Sequence, residues 1–259
     1  MTRVAVITPT YNEAGGIEAV LKDLARTFAV ASSYEWLVVV VDANSPDGTA
    51  DIVRTFSTTH PNVHLLVEQG KQGIGAAYCA GFCHAMEKLG ADVIVSFDGD
   101  GQHNCEDLPR LVGKITEGYD YVIGSRYVTG GSIPGEWAWH RKFLSRFGSL
   151  YARTLLRLPV HDVTSGFRAM RVKGFAEHLT LEPSQLLSRQ YAYIFQFLPE
   201  MQSLKARILE IPIEFRMREN DSSKSTWKDI LESLRVTTAL FFNPPRKLPS
   251  HVSHASDTP

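Results

Sequence analysis

Continuous apolar runs and amphipathic stretches take turns along the first half of the chain. Arg3-Val-Ala-Val-Ile-Thr8 reads as a strand, Glu13 to about Phe28 as a helix with one apolar face, and Leu37-Val-Val-Val-Val-Asp42 as a second strand. The alternation continues with a helix after Gly48, a strand at Val63–Val67, a helix from about Gly73 to Leu89 and a strand at Val93–Phe97. β-Branched runs without polar alternation suit strands buried on both faces, and strand-helix alternation predicts βαβ units on a mostly parallel central sheet flanked by helices. Such open sheets take ligands at the carboxyl ends of their strands, where helix N-termini face the crevice.

The pattern changes after Tyr121-Val-Ile-Gly-Ser125. From Trp137 to Leu158 the chain carries Arg141, Lys142, Arg146, Arg153 and Arg157 and no acidic residue. Leu144, Phe147, Leu150, Tyr151, Leu155 and Leu158 recur every three or four positions, which predicts a basic amphipathic helix. A strand at Ile208–Ile213 and a helix from about Thr226 to Phe241 complete one domain over residues 1–242. Residues 243–259, rich in proline and small polar side chains, read as a mobile polar tail.

Composition narrows the function classes. The 259 residues carry a formal net charge of −1, which argues against a general nucleic-acid binder, so any anion site is local. Cys79, Cys83 and Cys105, in a chain that runs from Met1-Thr2-Arg3 directly into a strand, suggest a reduced, cytoplasmic setting without a secretory signal. Their spacing, with His84 and His103 nearby, matches no recognised zinc module, and small buried apolar cysteines are the better reading. No apolar run reaches the ~20 residues of a membrane-spanning helix.

Three polar motifs follow three buried strands. In Asp98-Gly-Asp-Gly-Gln102-His103 two carboxylates stand one residue apart, followed by an amide. Crowded carboxylates repel unless a cation neutralises them, and hard ions such as Mg²⁺ or Mn²⁺ take such oxygens together with those of a diphosphate; Asp-Gly turns with solvated side chains are the bland alternative. Thr8-Pro-Thr-Tyr-Asn-Glu13 offers Tyr11 for a nucleobase and Glu13 as an acceptor, or else an Asn12 cap and a packed tyrosine. Asp42-Ala-Asn-Ser-Pro-Asp-Gly-Thr49 offers Asp42 for base or ribose, while Ser45 and Asp47 read as turn and cap residues. Gly73-Ile-Gly75 lacks the full glycine pattern of a dinucleotide loop.

With these motifs in place, from about Arg3 to about Arg235, the sequence resembles the family 2 glycosyltransferases of the GT-A fold, and among them the dolichol-phosphate and polyprenol-phosphate mannosyltransferases. The resemblance rests on Pro9-Thr-Tyr-Asn-Glu13, Val41-Asp-Ala-Asn-Ser-Pro-Asp-Gly-Thr49, Gly73-Ile-Gly-Ala-Ala-Tyr78, Asp98-Gly-Asp-Gly-Gln-His103, Gly124-Ser-Arg-Tyr127, Thr164-Ser-Gly-Phe-Arg168 and Ser223-Lys224. It implies a metal site at Asp98, Asp100 and Gln102 and a nucleoside pocket at Pro9, Tyr11, Glu13 and Asp42. It also implies donor-phosphate contacts from Arg218 and Lys224 and acceptor-phosphate contacts from Arg126, Arg141 and Ser145. Asp100, Arg126 and Lys224 then carry the chemistry, with a nucleotide sugar and a polyprenyl phosphate as partners, Mg²⁺ or Mn²⁺ as cofactor, and a membrane surface or membrane subunit nearby.

The implied activity is inverting transfer of mannose from GDP-mannose without a dedicated base, because a lipid monophosphate is largely ionised at neutral pH. A neutral alcohol as acceptor would instead call for a base, Asp100 or a residue near Asp162. Three positions depart from the family pattern. Ala43 replaces a second aspartate, Asp221 a glycine before Ser223-Lys224, and Leu198 a glutamate, the last two on the expected acceptor and lid side. They leave open a UDP-sugar donor such as UDP-glucose, a specialised acceptor, or a non-catalytic nucleotide-sugar-binding subunit.

Overall fold

β-Branched and apolar residues dominate the strands at the centre of a seven-stranded sheet. In the computed structural model, which describes residues 1–136, 139–216 and 227–245, β1 (Thr2–Thr10) runs parallel to β2 (Tyr34–Asp42) in a register from Thr2↔Tyr34 to Thr10↔Asp42. β3 (Val63–Val67) adds outside β2, and β4 (Val93–Ser96) pairs with the other edge of β1. Beyond β4 come β6 (Arg168–Arg171), β5 (Tyr121–Ser125) and β7 (Ile208–Pro212), in the order β3-β2-β1-β4-β6-β5-β7. β6 is antiparallel to both neighbours, and all other pairings are parallel.

Side-chain alternation along the strands divides the core into two layers. Ala5, Ile7, Val39 and Val41 face a layer that includes Tyr78 and Phe82 of α3 (Ile74–Glu87) and Phe195 and Leu198 of α6 (Ile194–Ser203). Val4, Val6, Val38 and Val40 face Leu21 and Leu24 of α1 (Ile17–Val30) and Leu111 and Ile115 of α4 (Leu108–Thr116). Each such side chain, fully buried, contributes roughly 1.5–3 kcal/mol of apolar transfer free energy. Gly81 lets α3 lie close to β1, because a Cβ there would sit 2.3 Å from Ile7 Cγ2.

The basic helix expected from Trp137 onward is α5 (Trp139–Leu155); residues 137 and 138 lie outside the described residues. α2 (Thr49–Ser57) and α7 (Trp227–Phe242) fall where periodicity placed helices, and of the expected tail residues 246–259 lie outside the description. Among the described residues no helix is long and apolar enough to cross a membrane. The chain builds β1, β2 and β3 outward in one direction, then returns to place β4 on the other side of β1. Loops at the carboxyl ends of β1 and β4 therefore diverge, and the crevice between them is where ligands of such sheets bind.

Candidate active site

At the end of β4 the chain leaves the sheet through Phe97 into Asp98-Gly-Asp-Gly-Gln102. Gly99 packs against β1, where a Cβ would meet Thr8 Cγ2 at 2.7 Å. Asp98 Oδ1 accepts a 2.7 Å hydrogen bond from the buried Tyr78 hydroxyl, and Tyr193 stacks on Tyr78 at 5.5 Å between ring centroids. Burial, and then the Asp98 charge, push both phenols well above their ordinary pKa, so Tyr78 stays a donor. Gly166 lies beside the other carboxylate oxygen, where a Cβ would stand 3.3 Å from Oδ2. His103 Nε2 is 3.5 Å from that Oδ2.

Asp100 Oδ1 accepts the Gln102 backbone N–H at 3.1 Å, while Gln102 Nε2 donates to Arg216 O at 3.2 Å. With its nitrogen so engaged, Gln102 leaves its amide oxygen as the acceptor atom of the side chain. Two carboxylates and an amide oxygen suit a hard divalent ion. Among the described residues no group of three or more His, Cys, Asp or Glu forms a closed metal cage. The set is an open one, fit for an ion that shares its remaining positions with substrate oxygens.

The ends of β1 and β2 form the opposite wall. Pro9 is partly exposed at the end of β1, and Tyr11 follows with Lys71 Nζ 4.2 Å from its ring centroid. Asn12 has φ 57° and donates its N–H to Ser45 Oγ, and α1 begins only after Gly16, so Asn12 does not cap it. The Glu13 N–H donates to Thr49 Oγ1 and the Ala14 N–H to Asp47 Oδ2. Asp47 thus behaves as the turn residue its setting suggested, its pKa lowered despite some burial by hydrogen bonds from Thr49 and Ala14. Asp42 is fully buried: Oδ2 accepts from Thr10 Oγ1 at 2.9 Å and Ser45 Oγ at 2.7 Å, and Oδ1 from the Ser45 N–H at 2.8 Å. Its carboxylate locks the ends of β1 and β2 together through Thr10 and Ser45.

Arg126, just after β5, is buried with its guanidinium forked on Asp162: Nε to Oδ2 and Nη2 to Oδ1 are both 2.7 Å, and the Arg126 N–H adds a 3.0 Å bond to Oδ2. Thr164 Oγ1 takes a further bond from Nη2. Burial alone would raise Asp162, but the Arg126 charge and fork override it and leave the carboxyl below its ordinary range; the same pair raises Arg126 against its own burial, with Tyr127 and Asp98 adding to the effect. Arg126 is therefore a fixed positive charge within electrostatic reach of Asp98. A base role near Asp162, considered for a neutral acceptor, is excluded for Asp162 itself by its burial and pairing. On α5, Ser145 Oγ accepts from Tyr127 at 2.6 Å and Lys142 donates to Gly135 O at 2.7 Å, which holds the helix over the loop after β5. Arg141 lies on α5 with its side chain outside the described residues, as do Arg218, Asp221 and Lys224 entirely.

Residues 5–179 match the model of the family described as Glycosyl transferase family 2. The chain belongs to glycosyl transferase family 2. This family 2 glycosyltransferase is 40% identical over 222 residues to the undecaprenyl-phosphate mannosyltransferase of Micrococcus luteus, a match that covers 86% of this chain and 87% of that one. It is 35% identical to the polyprenol monophosphomannose synthase of Mycolicibacterium smegmatis, over 90% and 84% of the two chains. Its fold is similar to that of a Pyrobaculum calidifontis mannosyltransferase solved with GDP-Man and Mn²⁺, with a TM-score of 0.63 at 20% identity, over 96% of this chain and 66% of that one. The GT-A architecture expected from the motifs is thereby established.

One part of the glycosyltransferase's cleft was not singled out beforehand. Glu68, just past β3, bonds its N–H to Asp42 O at 2.9 Å, and its Oε2 is buried without a hydrogen-bond partner among the described residues. Burial, then the Asp42 charge, raise its pKa. A carboxylate following a strand beside the nucleoside motif was the available signal. Gly73 and Gly75 serve packing: a Cβ at Gly73 (φ +108°) would meet Arg189 O at 2.2 Å, and one at Gly75 would meet Tyr193 Cβ at 2.8 Å. Leu198 is fully buried in the apolar core on α6, in the same cluster as Ala152 of α5, so its side chain packs rather than meeting solvent. Cys79 and Cys105 are buried free thiols, with the Cys105 thiol pushed up to about 12 by burial, as small apolar cysteines should be.

Proposed function

We propose that this enzyme transfers mannose from GDP-mannose to the phosphate of a polyprenyl lipid, inverting the anomeric carbon, with Mg²⁺ or Mn²⁺ as cofactor. The observation that carries the reading is the pairing of two opposite charges in one cleft: the Asp98, Asp100 and Gln102 oxygens at the end of β4, and the buried guanidinium of Arg126 close enough to Asp98 to feel its charge. The names of the Micrococcus and Mycolicibacterium relatives point to the same donor sugar and acceptor class.

Asp98, Asp100 and Gln102 would hold the ion, whose bound charge would neutralise the diphosphate as its bond to the anomeric carbon breaks. Pro9, Tyr11 and Glu13 would wall the nucleoside, with Asp42 bracing them from below. Glu68 supports guanine over uracil, since guanine offers N1–H and an amino group to one carboxylate and uracil a single N–H. Arg218 and Lys224 would face the donor phosphates. Arg126 offers Nη1, which has no hydrogen bond among the described residues, to the acceptor phosphate, with Arg141 and Ser145 beside it on α5. One acceptor phosphate oxygen attacks the anomeric carbon as the bond to GDP breaks. A phosphate with its second pKa near ~6 needs no base for this, and the chain's task is orientation.

Exposed apolar side chains on α5 (Phe147, Leu150) and α7 (Leu231, Phe241, Phe242) support a peripheral position on the cytoplasmic face of a membrane, with the α5 arginines toward anionic headgroups. Incubation of purified protein with Mg²⁺ or Mn²⁺, a short polyprenyl phosphate and labelled GDP-mannose or UDP-glucose tests the reading, with Asp100→Ala as control. Transfer from GDP-mannose, lost in the control, is expected. Transfer from UDP-glucose alone would overturn the donor assignment, and GDP binding without transfer would overturn the acceptor.

A further inference from the structure

His103 is buried, yet neither ring nitrogen has a hydrogen-bond partner among the described residues. Phe97, Phe167 and Phe215 surround the ring, with centroids 5.7, 4.9 and 5.2 Å away, and none of them offers a hydrogen-bonding side chain. A backbone bridge to Phe215 holds the residue in place. Buried polar atoms are nearly always satisfied, so an orphaned imidazole in a packed site calls for an explanation. Among the described residues the carboxylate within ion-pair distance of it is that of Asp98, with Nε2 3.5 Å from Oδ2, just beyond hydrogen-bond length; the buried Asp107 carboxylate also lies within electrostatic reach.

The two Asp98 oxygens are set up differently. Tyr78 already fixes Oδ1 at 2.7 Å. Oδ2 lies between Gly166, whose missing Cβ leaves room beside it, and His103. We propose that His103 is a positioning residue for Asp98: when the carboxylate takes a divalent cation, Oδ2 moves the few tenths of an ångström needed to accept the Nε2–H, and the carboxylate is then held from both sides. Partners of this kind fix a ligand's orientation and tune its affinity for the ion. The inference rests on the reading of Asp98 as a metal ligand. Its own claim is that the hydrogen-bond donor at position 103, rather than the aromatic volume, matters to the site.

The test is Mn²⁺ titration of the full chain with GDP present, with free Mn²⁺ read by electron paramagnetic resonance and folding checked by thermal melt. His103→Phe keeps the volume and loses the donor; His103→Gln places an amide N–H near the Nε2 position; Asp98→Asn is the control. His103→Phe is expected to weaken Mn²⁺ binding ~10-fold or more, and His103→Gln to stay within ~3-fold of the native chain. His103→Phe that binds like the native chain, or His103→Gln that fares no better than His103→Phe, overturns the inference while Asp98→Asn still loses the ion. Failure of the native chain to bind Mn²⁺ with GDP, or full retention by Asp98→Asn, overturns the metal-site reading and the inference with it.

Discussion

Removing the carboxylate of Asp162 should destabilise the protein far more than removing a general base would. The side chain is fully buried and takes three hydrogen bonds from Arg126, while its own backbone N–H donates to Glu210 Oε1 at 2.8 Å. Asp162→Ala strands the guanidinium in a buried site without its counter-charge. Breaking one side of such a pair costs about 3–5 kcal/mol, against a total stability on the order of 5–15 kcal/mol for a domain. At roughly 2–4 °C per kcal/mol for a chain of this size, the melting temperature should fall by about 6–20 °C. Replacing both partners by apolar residues, Arg126→Met with Asp162→Leu, should recover much of that loss, because two desolvated charges disappear together.

The pH dependence carries the sign of the pair. Asp162 lies below its ordinary value of 3.8 in the folded chain, so the unfolded chain binds the proton more readily. Its contribution is full above that ordinary value and is lost as pH falls through the lowered folded pKa. Asp162→Ala should therefore lack that part of the acid limb in a stability-versus-pH curve from calorimetry or urea titration. A loss under about 1 kcal/mol in Asp162→Ala, or a double variant as unstable as the sum of the singles, would refute the argument. So would an Asp162→Asn enzyme of native stability whose rate loses a basic pH dependence, since that is what a base would show.

Three other sets of variants test the structure. Glu68→Gln should cut the preference for GDP over UDP by roughly 10–100-fold in competition binding, the scale of a hydrogen-bond pair to a charged group. Glu68 has a raised folded pKa, so its stabilising effect is present below its ordinary value of 4.5 and lost as pH rises through the raised one; Glu68→Gln should melt higher than the native chain at neutral pH. Gly81→Ala should cost about 1–3 kcal/mol in urea unfolding by driving α3 off Ile7 of β1. Serine at Phe147, Leu150, Phe241 and Phe242 should abolish sedimentation with anionic vesicles while GDP binding is retained; vesicle binding at native strength would remove the membrane-facing role of α5 and α7.

Legibility in the sequence tracked local pattern. β1 to β4 and β7, α1 to α3, α5 and α7 were read from apolar runs and amphipathic stretches in alternation, whereas β5 and α4 were not named as elements. β6 did not: Arg168-Ala-Met-Arg171 is short and begins with an arginine that normally marks a surface. That arginine is buried because Ser165 O, Val163 O, Ile194 O and the Tyr121 hydroxyl all accept from it, a set that exists only after folding. α6 is buried almost all round, so it has no polar face to mark its period. In the cleft, residue types and spacing marked Asp98, Asp100 and Gln102, and the family resemblance marked Arg126, whereas Glu68, Tyr78, His103 and Tyr193 act through contacts that exist only after folding.

Residue type alone does not separate the carboxylates of the cleft; what each one touches does. Asp42 ends a buried strand next to an aromatic and looks like a ligand, but three short hydrogen bonds commit it to holding Thr10 and the Ser45 turn. Asp162 ends up spent in the same way on Arg126. Both are fully buried, and a carboxylate shielded from solvent and committed to hydrogen bonds acts by fixing its donors. Asp98 and Asp100 are partly exposed at the switch point of the sheet, and so is Glu68 beyond β3. The buried pair of acids gives the cleft one rigid wall, the one proposed for the nucleoside, and a permanently charged arginine; the partly exposed acids are then the ones open to ligands. A variant of Asp42 should accordingly behave like one of Asp162, losing stability and nucleotide binding together, while variants of Asp98 and Asp100 lose function from a chain that melts normally. If Asp42→Asn kept its stability and lost only nucleotide affinity, this division by hydrogen-bond partners would be wrong for the nucleoside wall.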